Sequence, residues 1–127
     1  MQIYYSTMTG NVRRFLRKTQ LPCQSIQTVD AVVEPYVLVT NTVGFGEVPE
    51  TVKRFLGRHS RYLVAVAASG NRNWGKNFAK AADVIAQAYG VPVLSKFELG
   101  GTAADVIKFK ERVTAYDEAG NQSKIIH

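Results

Sequence analysis

The sequence predicts an α/β fold: one domain built on a doubly wound sheet of five parallel strands with helices on both faces. Apolar runs alternate along the chain with segments whose apolar residues recur at helical spacing. The two central runs, Tyr36-Val37-Leu38-Val39-Thr40 and Leu63-Val64-Ala65-Val66-Ala67, are apolar on both faces, as parallel strands between two helix layers must be. A length of 127 residues with 46% hydrophobic content supports a single core without covalent staples.

The first strand is Gln2–Tyr5, a short buried run. It leads through Ser6-Thr7-Met8-Thr9-Gly10-Asn11 into a helix marked by Val12, Phe15 and Leu16 at i, i+3, i+4. A second strand is predicted near Ser25–Gln27, and Thr28–Pro35 is too short for a full helix before the third strand, Tyr36–Thr40. Val52, Phe55 and Leu56 mark a second helix beginning at Pro49, a residue suited to a first turn. The fourth strand is Tyr62–Ala68. A third helix carries Phe78, Ala81, Ala82, Ile85 and Tyr89 and stops at Gly90. The fifth strand is Pro92–Phe97, and Val106, Phe109, Val113 and Tyr116 mark the last helix. Residues 1–116 thus form the domain, and the polar stretch 117–127 is expected to be a flexible tail.

Sixteen Lys and Arg against ten Asp and Glu give a net charge of +6. The positives fall in groups: Arg13, Arg14, Arg17, Lys18; Lys53, Arg54, Arg58, Arg61; Arg72, Lys76, Lys80; Lys108, Lys110, Arg112. Such a balance suits an acidic partner or an anionic ligand. Most of these residues sit at helix-surface spacing, so no nucleic-acid partner is expected. The single cysteine, Cys23, excludes an internal disulfide and a multi-cysteine metal site, and is read as a small buried residue. No apolar run approaches the ~18 residues of a membrane span and no leader pattern is present, so a cytoplasmic protein with no membrane partner is expected. His59 lies in a basic helix-end segment and His127 is terminal; no catalytic acid/base pair, nucleophile or metal site is predicted.

In a doubly wound sheet the ligand lies beyond the carboxyl ends of the strands, at a switch point in strand order. The loop after the first strand combines hydroxyls, Gly10 and a helix start. Unpaired N–H groups and the helix dipole favour an anion there, and Ser6, Thr7 and Thr9 add O–H donors. The loop after the third strand, Asn41-Thr42-Val43-Gly44-Phe45-Gly46, sets an aromatic between glycines, so its backbone can lie against a flat ligand. The loop after the fourth strand, Ser69-Gly70-Asn71-Arg72-Asn73-Trp74-Gly75, brings the only tryptophan to the same edge. One phosphate loop and two Gly/aromatic loops suit a planar heterocycle bearing a monophosphate, and flavin mononucleotide (FMN) fits. A rival lies in Gly70–Asn77, close to the G-x-x-x-x-G-K-[ST] phosphate loop of nucleotide hydrolases. There Asn77 replaces the magnesium-binding hydroxyl and Trp74 crowds the loop, so a nucleoside triphosphatase is not favoured.

The blocks Tyr4-Tyr5-Ser6-Thr7-Met8-Thr9-Gly10-Asn11-Val12-Arg13-Arg14-Phe15, Thr42–Pro49, Ala68–Gly75 and Val91-Pro92 with Lys96–Thr102 resemble the NrdI family, flavodoxin-like partners of class Ib ribonucleotide reductase. The resemblance covers about residues 1–115, and the Ser-Gly-Asn-Arg-Asn-aromatic-Gly block is its most specific part. Met8 departs from the small polar residues usual in that loop, though its N–H can still donate. The middle loop is short, without the glycine-rich insertion of some members.

The resemblance implies a flavodoxin-like sheet of order 2-1-3-4-5 and one FMN. It further implies that reduced flavin reacts with molecular oxygen and that the oxidant passes to the dimanganese, radical-bearing small subunit of the reductase, generating its tyrosyl radical. A separate flavin-reducing reductase would restore the flavin. Carried over by position, Ser6, Thr7, Met8, Thr9, Gly10, Asn11 and Val12 hold the phosphate. Asn41, Thr42, Val43, Gly44, Phe45 and Gly46 line one side of the ring, and Ser69, Gly70, Asn71, Asn73 and Trp74 the other. A peptide at Gly44 or Gly46 is expected to turn toward the flavin on reduction. The net charge of +6 should favour the anionic, fully reduced flavin and attract superoxide, while Arg72 and Lys76 face an acidic partner. The alternatives are a general flavodoxin-type electron carrier and a non-redox basic binding module; the protein is expected to be an accessory carrier and activator, not a turnover enzyme.

Overall fold

The structure, a computed structural model, describes residues 1–126, with side chains described through residue 118. Its strands are β1 (Gln2–Tyr5), β2 (Gln24–Ser25), β3 (Tyr36–Thr40), β4 (Leu63–Gly70) and β5 (Val93–Glu98). Its α-helices are α1 (Asn11–Thr19), α2 (Glu50–His59), α3 (Lys80–Tyr89) and α4 (Ala103–Ile126). The five strands form one sheet in the order β2-β1-β3-β4-β5, with every neighbouring pair parallel, as the sequence predicts.

Alternation along each strand divides the core into two layers. Tyr4, Tyr36, Leu38 and Val66 face α2 and α3, where Val52, Phe55, Leu56, Ala81, Ala82 and Ile85 are buried against them. Ile3, Val37, Val39 and Ala65 face α1 and α4 through Val12, Phe15, Leu16, Val106, Phe109 and Val113. Phe15 stacks on Phe97 at 3.7 Å between centroids and meets Phe109 edge-on at 5.3 Å. Such aromatic pairs contribute about 0.5–1.5 kcal/mol each beyond the area they bury. They tie α1 to β5 and α4, and so fix the first loop against the rest of the sheet.

Element ends differ from the sequence reading for local reasons. β2 is only Gln24–Ser25, because Ser25 Oγ accepts the Gln27 N–H and starts a 3-10 turn over Ile26–Thr28. Pro92 has no N–H to donate and precedes β5, although its carbonyl accepts the Val66 N–H at 3.1 Å. Phe78 lies before α3, which starts at Lys80 after Ala79 with φ at +49°. α2 starts one residue past Pro49, and Gly90 ends α3 in the left-handed conformation as expected.

Cys23 is exposed, which corrects the expectation of burial. Thr19 takes the buried place at the end of α1, and Cys23 falls on the open approach to the two-residue edge strand. α4 continues to Ile126 past Tyr116, and Asp117 pairs with the Met1 amine. The expected flexibility of 117–127 rests on sequence; the side chains from 119 onward and His127 lie outside the described residues. Among the described residues no helix is long and apolar enough to cross a membrane.

Candidate functional site

Parallel β1, β3 and β4 release their following loops at one edge of the sheet, and the segment after β5 joins them there. The first loop leaves β1 with the Ser6 N–H still bonded to the Val39 carbonyl at 3.0 Å. Thr7 Oγ1 then accepts the Gly10 N–H at 3.1 Å, closing the turn. Gly10 sits at φ +86°, a conformation that strains any side chain, and begins α1 with no side-chain cap. The first intrahelical bond runs from Arg14 N–H to the Gly10 carbonyl, so the leading N–H groups of α1 point into the loop. No acidic residue occupies that first turn.

The second loop is a tight hairpin. Val43 and Glu47 exchange backbone hydrogen bonds of 3.0 and 2.8 Å, leaving Phe45 at the tip with 70% of its surface exposed. Gly44 and Gly46 carry positive φ on either side of it. In the third loop Asn71 Oδ1 accepts the Asn73 N–H at 2.9 Å, and a 3-10 turn spans Arg72–Asn77. Arg72 is exposed but tethered: its N–H donates to Glu98 Oε2 at 3.0 Å, and its guanidinium lies 4.7 Å over the Phe78 ring. Across the gap Phe45 meets Trp74 edge to face, with centroids 5.1 Å apart.

These loops enclose a cavity of about 150 Å³. Thr7, Met8, Thr9 and Asn11 line it from the first loop; Asn41, Thr42, Gly44 and Gly46 from the second; Ser69, Gly70, Asn71 and Trp74 from the third. Ser6, Gly10, Val43, Phe45 and Asn73 are not in the wall. Ser6 lies beside Asn41, its Oγ 3.4 Å from the amide oxygen, and Asn73 is exposed in the 3-10 turn. The Val12 side chain is fully buried in the core, which leaves its backbone N–H for the expected phosphate contact.

Asn77, Ala79 and Leu99 complete the wall, and none of them was among the residues expected to hold the ligand. Leu99 has φ at +52°, accepts the Ser69 hydroxyl at 2.8 Å and donates its N–H to the Gly70 carbonyl at 3.0 Å. Strained non-glycine residues of this kind concentrate at functional sites. The signal for Leu99 was its place in the Lys96–Thr102 block, which marked the family but not the wall.

One buried side-chain polar atom among the described residues has no partner: Thr42 Oγ1, on a residue that lines this cavity. An unpaired buried hydroxyl costs about 1–3 kcal/mol and calls for a ligand group or water. Among the described residues no carboxylate lines the cavity. The uncapped helix start and the hydroxyls therefore suit an anion at one end, and the glycine and aromatic loops a flat ring at the other. The nucleotide-hydrolase alternative fails on geometry. α3 begins three residues beyond Asn77, so Lys76 and Asn77 lie in a 3-10 turn and not at a helix start. Among the described residues no cluster of His, Cys, Asp and Glu is arranged to hold a metal ion.

The family model described as NrdI Flavodoxin like matches residues 3–111. The Protein NrdI of Macrococcus caseolyticus (strain JCSC5402) is 50% identical over 119 residues, 93% of this chain and 92% of that protein. Among solved structures, oxidised Flavodoxin 2 from Bacillus cereus is similar with a TM-score of 0.69 at 22% identity, covering 93% of this chain and 97% of that one. A Fusobacterium nucleatum flavodoxin bound to flavin mononucleotide gives 0.58 at 15% identity, covering 93% and 96%. These structures establish the flavodoxin fold. With the family model spanning most of the chain and half of the aligned residues shared with a curated member, this chain belongs to the NrdI flavodoxin-like family.

Proposed function

We propose that this protein binds one FMN in the cleft and serves a class Ib ribonucleotide reductase as the activator of its small subunit. Bound FMN supplies one- and two-electron chemistry and, when reduced, the reduction of oxygen to an oxidant for the dimanganese site where the tyrosyl radical forms. The chain's own residues hold and shield that group. The leading N–H groups of α1, with Thr7, Thr9 and Asn11, take the phosphate. Thr42 Oγ1 offers the hydroxyl that nothing in the described protein engages. Gly44 and Gly46, both at positive φ, let the hairpin peptides turn without side-chain strain. Trp74 and Leu99 form the rim that keeps water from the ring.

The observation that carries this reading is the pairing, in one acid-free cleft, of an uncapped helix start with an unpartnered buried hydroxyl. Half identity to a curated protein named NrdI supports the association with the reductase. The proposed partners are the radical-bearing small subunit, oxygen and a flavin-reducing reductase, in the cytoplasm. The protein acts as an accessory, not as a turnover enzyme. The test is electron paramagnetic resonance on manganese-loaded small subunit mixed with the reduced, FMN-loaded protein and oxygen. A tyrosyl-radical signal that depends on the protein is expected. No radical, alongside competent reduction of another acceptor, returns the general electron-carrier reading.

A further inference from the structure

A second cavity, of about 340 Å³, lies away from the cleft between α2 and the turn that follows β2. Thr51, Arg54, Phe55, Arg58 and His59 face it at the i, i+3, i+4, i+7, i+8 spacing of one helix face. Opposite stand Ile26, Gln27 and Val29. Its floor is apolar: Ile26 and Phe55 are buried, and the His59 ring tilts over Phe55 at 4.9 Å. The helix end is fixed from below, because the Tyr36 hydroxyl donates to the His59 carbonyl at 2.8 Å.

The charges on the rim are unbalanced. Lys53 of the same helix pairs with Glu50, Arg72 with Glu98 and Lys96 with Asp83. Arg54 and Arg58 pair with no carboxylate among the described residues, and no acidic residue lines the cavity. A basic last turn complements the helix dipole, which accounts for Arg58 and His59. It does not account for Arg54 in the middle of the helix, nor for the hollow beside it. Guanidinium groups bind phosphate through paired N–H donors, and a volume of 340 Å³ falls within the range of small-molecule sites, roughly 300–1,000 Å³.

We propose that this cavity binds a small phosphate monoester carrying a flat ring, in the class of a nucleoside monophosphate. The phosphate lies between Arg54 and Arg58. The ring lies against Ile26, Val29 and Phe55, and its polar edge meets Gln27 and Thr51. From Thr51 to His59 the helix rises about 12 Å, the span of a base, a pentose and a phosphate in a row. The eight residues that line it are far fewer than the roughly 20–30 a side of a stable protein interface, which disfavours an acidic protein segment as the occupant. The site is independent of the reading of the cleft.

The test is a titration of the full-length, isotope-labelled protein, loaded with one equivalent of FMN and freed of excess, by adenosine monophosphate, followed by amide NMR. Saturable shifts at Gln27, Thr51, Phe55 and His59 are expected. The exposed double substitution Arg54→Gln/Arg58→Gln should weaken the affinity by at least about tenfold at unchanged melting temperature, with Arg17→Gln as the neutral control. Four results overturn the proposal: shifts confined to the cleft loops, inorganic phosphate binding as tightly as the nucleotide, adenosine binding as tightly as the nucleotide, or an acidic peptide binding where the nucleotide does not.

Discussion

Phe45 and Trp74 meet edge to face, 5.1 Å between centroids and at 90°, so the loops after β3 and β4 touch at their aromatic tips. The cavity beside Trp74 holds about 150 Å³. A planar ring entering between the loops has to part this pair, at a cost of about 0.5–1.5 kcal/mol, and replaces it with two new aromatic contacts. Both side chains are well exposed, Phe45 at 70% and Trp74 at 47%, so little packing resists the movement. The glycines on either side of Phe45 supply the hinge.

Thr42→Val separates folding from binding. The substitution keeps the β-branched shape and deletes the unpartnered Oγ1. Without FMN the variant should be more stable by about 1 kcal/mol, because a buried unsatisfied group is gone. With FMN it should bind about tenfold more weakly, for loss of one hydrogen bond. Chemical denaturation and flavin titration read the two effects. A variant that loses stability without FMN would show that Thr42 has an internal partner.

Gly70→Ala tests the back wall. A Cβ on Gly70 would stand 2.5 Å from the Ala79 backbone nitrogen, which no side-chain movement relieves. Destabilisation of about 1–3 kcal/mol is expected, together with loss of flavin, since Gly70 and Ala79 both line the cavity. Thermal unfolding with and without FMN measures it. An unchanged melting temperature would mean that β4 and α3 are not so closely packed.

Tyr36 makes stability fall at alkaline pH. Burial first, then the neighbouring Tyr4 and Tyr89, push its phenol well above the ordinary value of 10.0. Burial, then Glu34, raises Tyr4 as well. A folded-state pKa above the unfolded one means that the folded protein holds the proton longer. The stabilisation is complete below pH 10 and is lost progressively above it. Tyr36→Phe should flatten the decline above pH 10, while costing about 1 kcal/mol at neutral pH through the lost bond to the His59 carbonyl. Denaturation midpoints from pH 7 to 11.5 would check this, and an unchanged alkaline slope in the variant would exclude Tyr36 as its source.

The net charge of +6 bears on the redox couple. A positive field favours the anionic, fully reduced flavin, so that state should form at higher potential than in acidic flavodoxins, and added salt should narrow the difference. Potentiometric titration at low and high salt reads both effects. A couple as low as that of acidic flavodoxins would sink the idea.

The sheet was readable because β3 and β4 are apolar on both faces and each helix repeats its apolar residues at helical spacing. The edge strand was not. Gln24 and Ser25 form only two pairings with β1, too few to leave a periodic pattern, and Cys23 beside them is exposed for the same reason. In the site, the loops announced themselves through Gly10, Gly44, Gly46 and Trp74. Leu99 did not, because its role depends on a positive φ and on bonds to Ser69 and Gly70, residues about thirty positions away. Arg72 reads in sequence as a free rim cation, yet its bonds to Glu98 and its stacking on Phe78 leave Lys76 as the more available charge.

The most direct test of the central claim is equilibrium titration of the purified protein with FMN, following flavin absorbance together with the emission of Trp74, the only tryptophan. The account requires saturation near one FMN per chain, with Trp74 emission quenched in step as the ring displaces Phe45. Absence of saturable uptake, or uptake that leaves Trp74 emission unchanged, would contradict it.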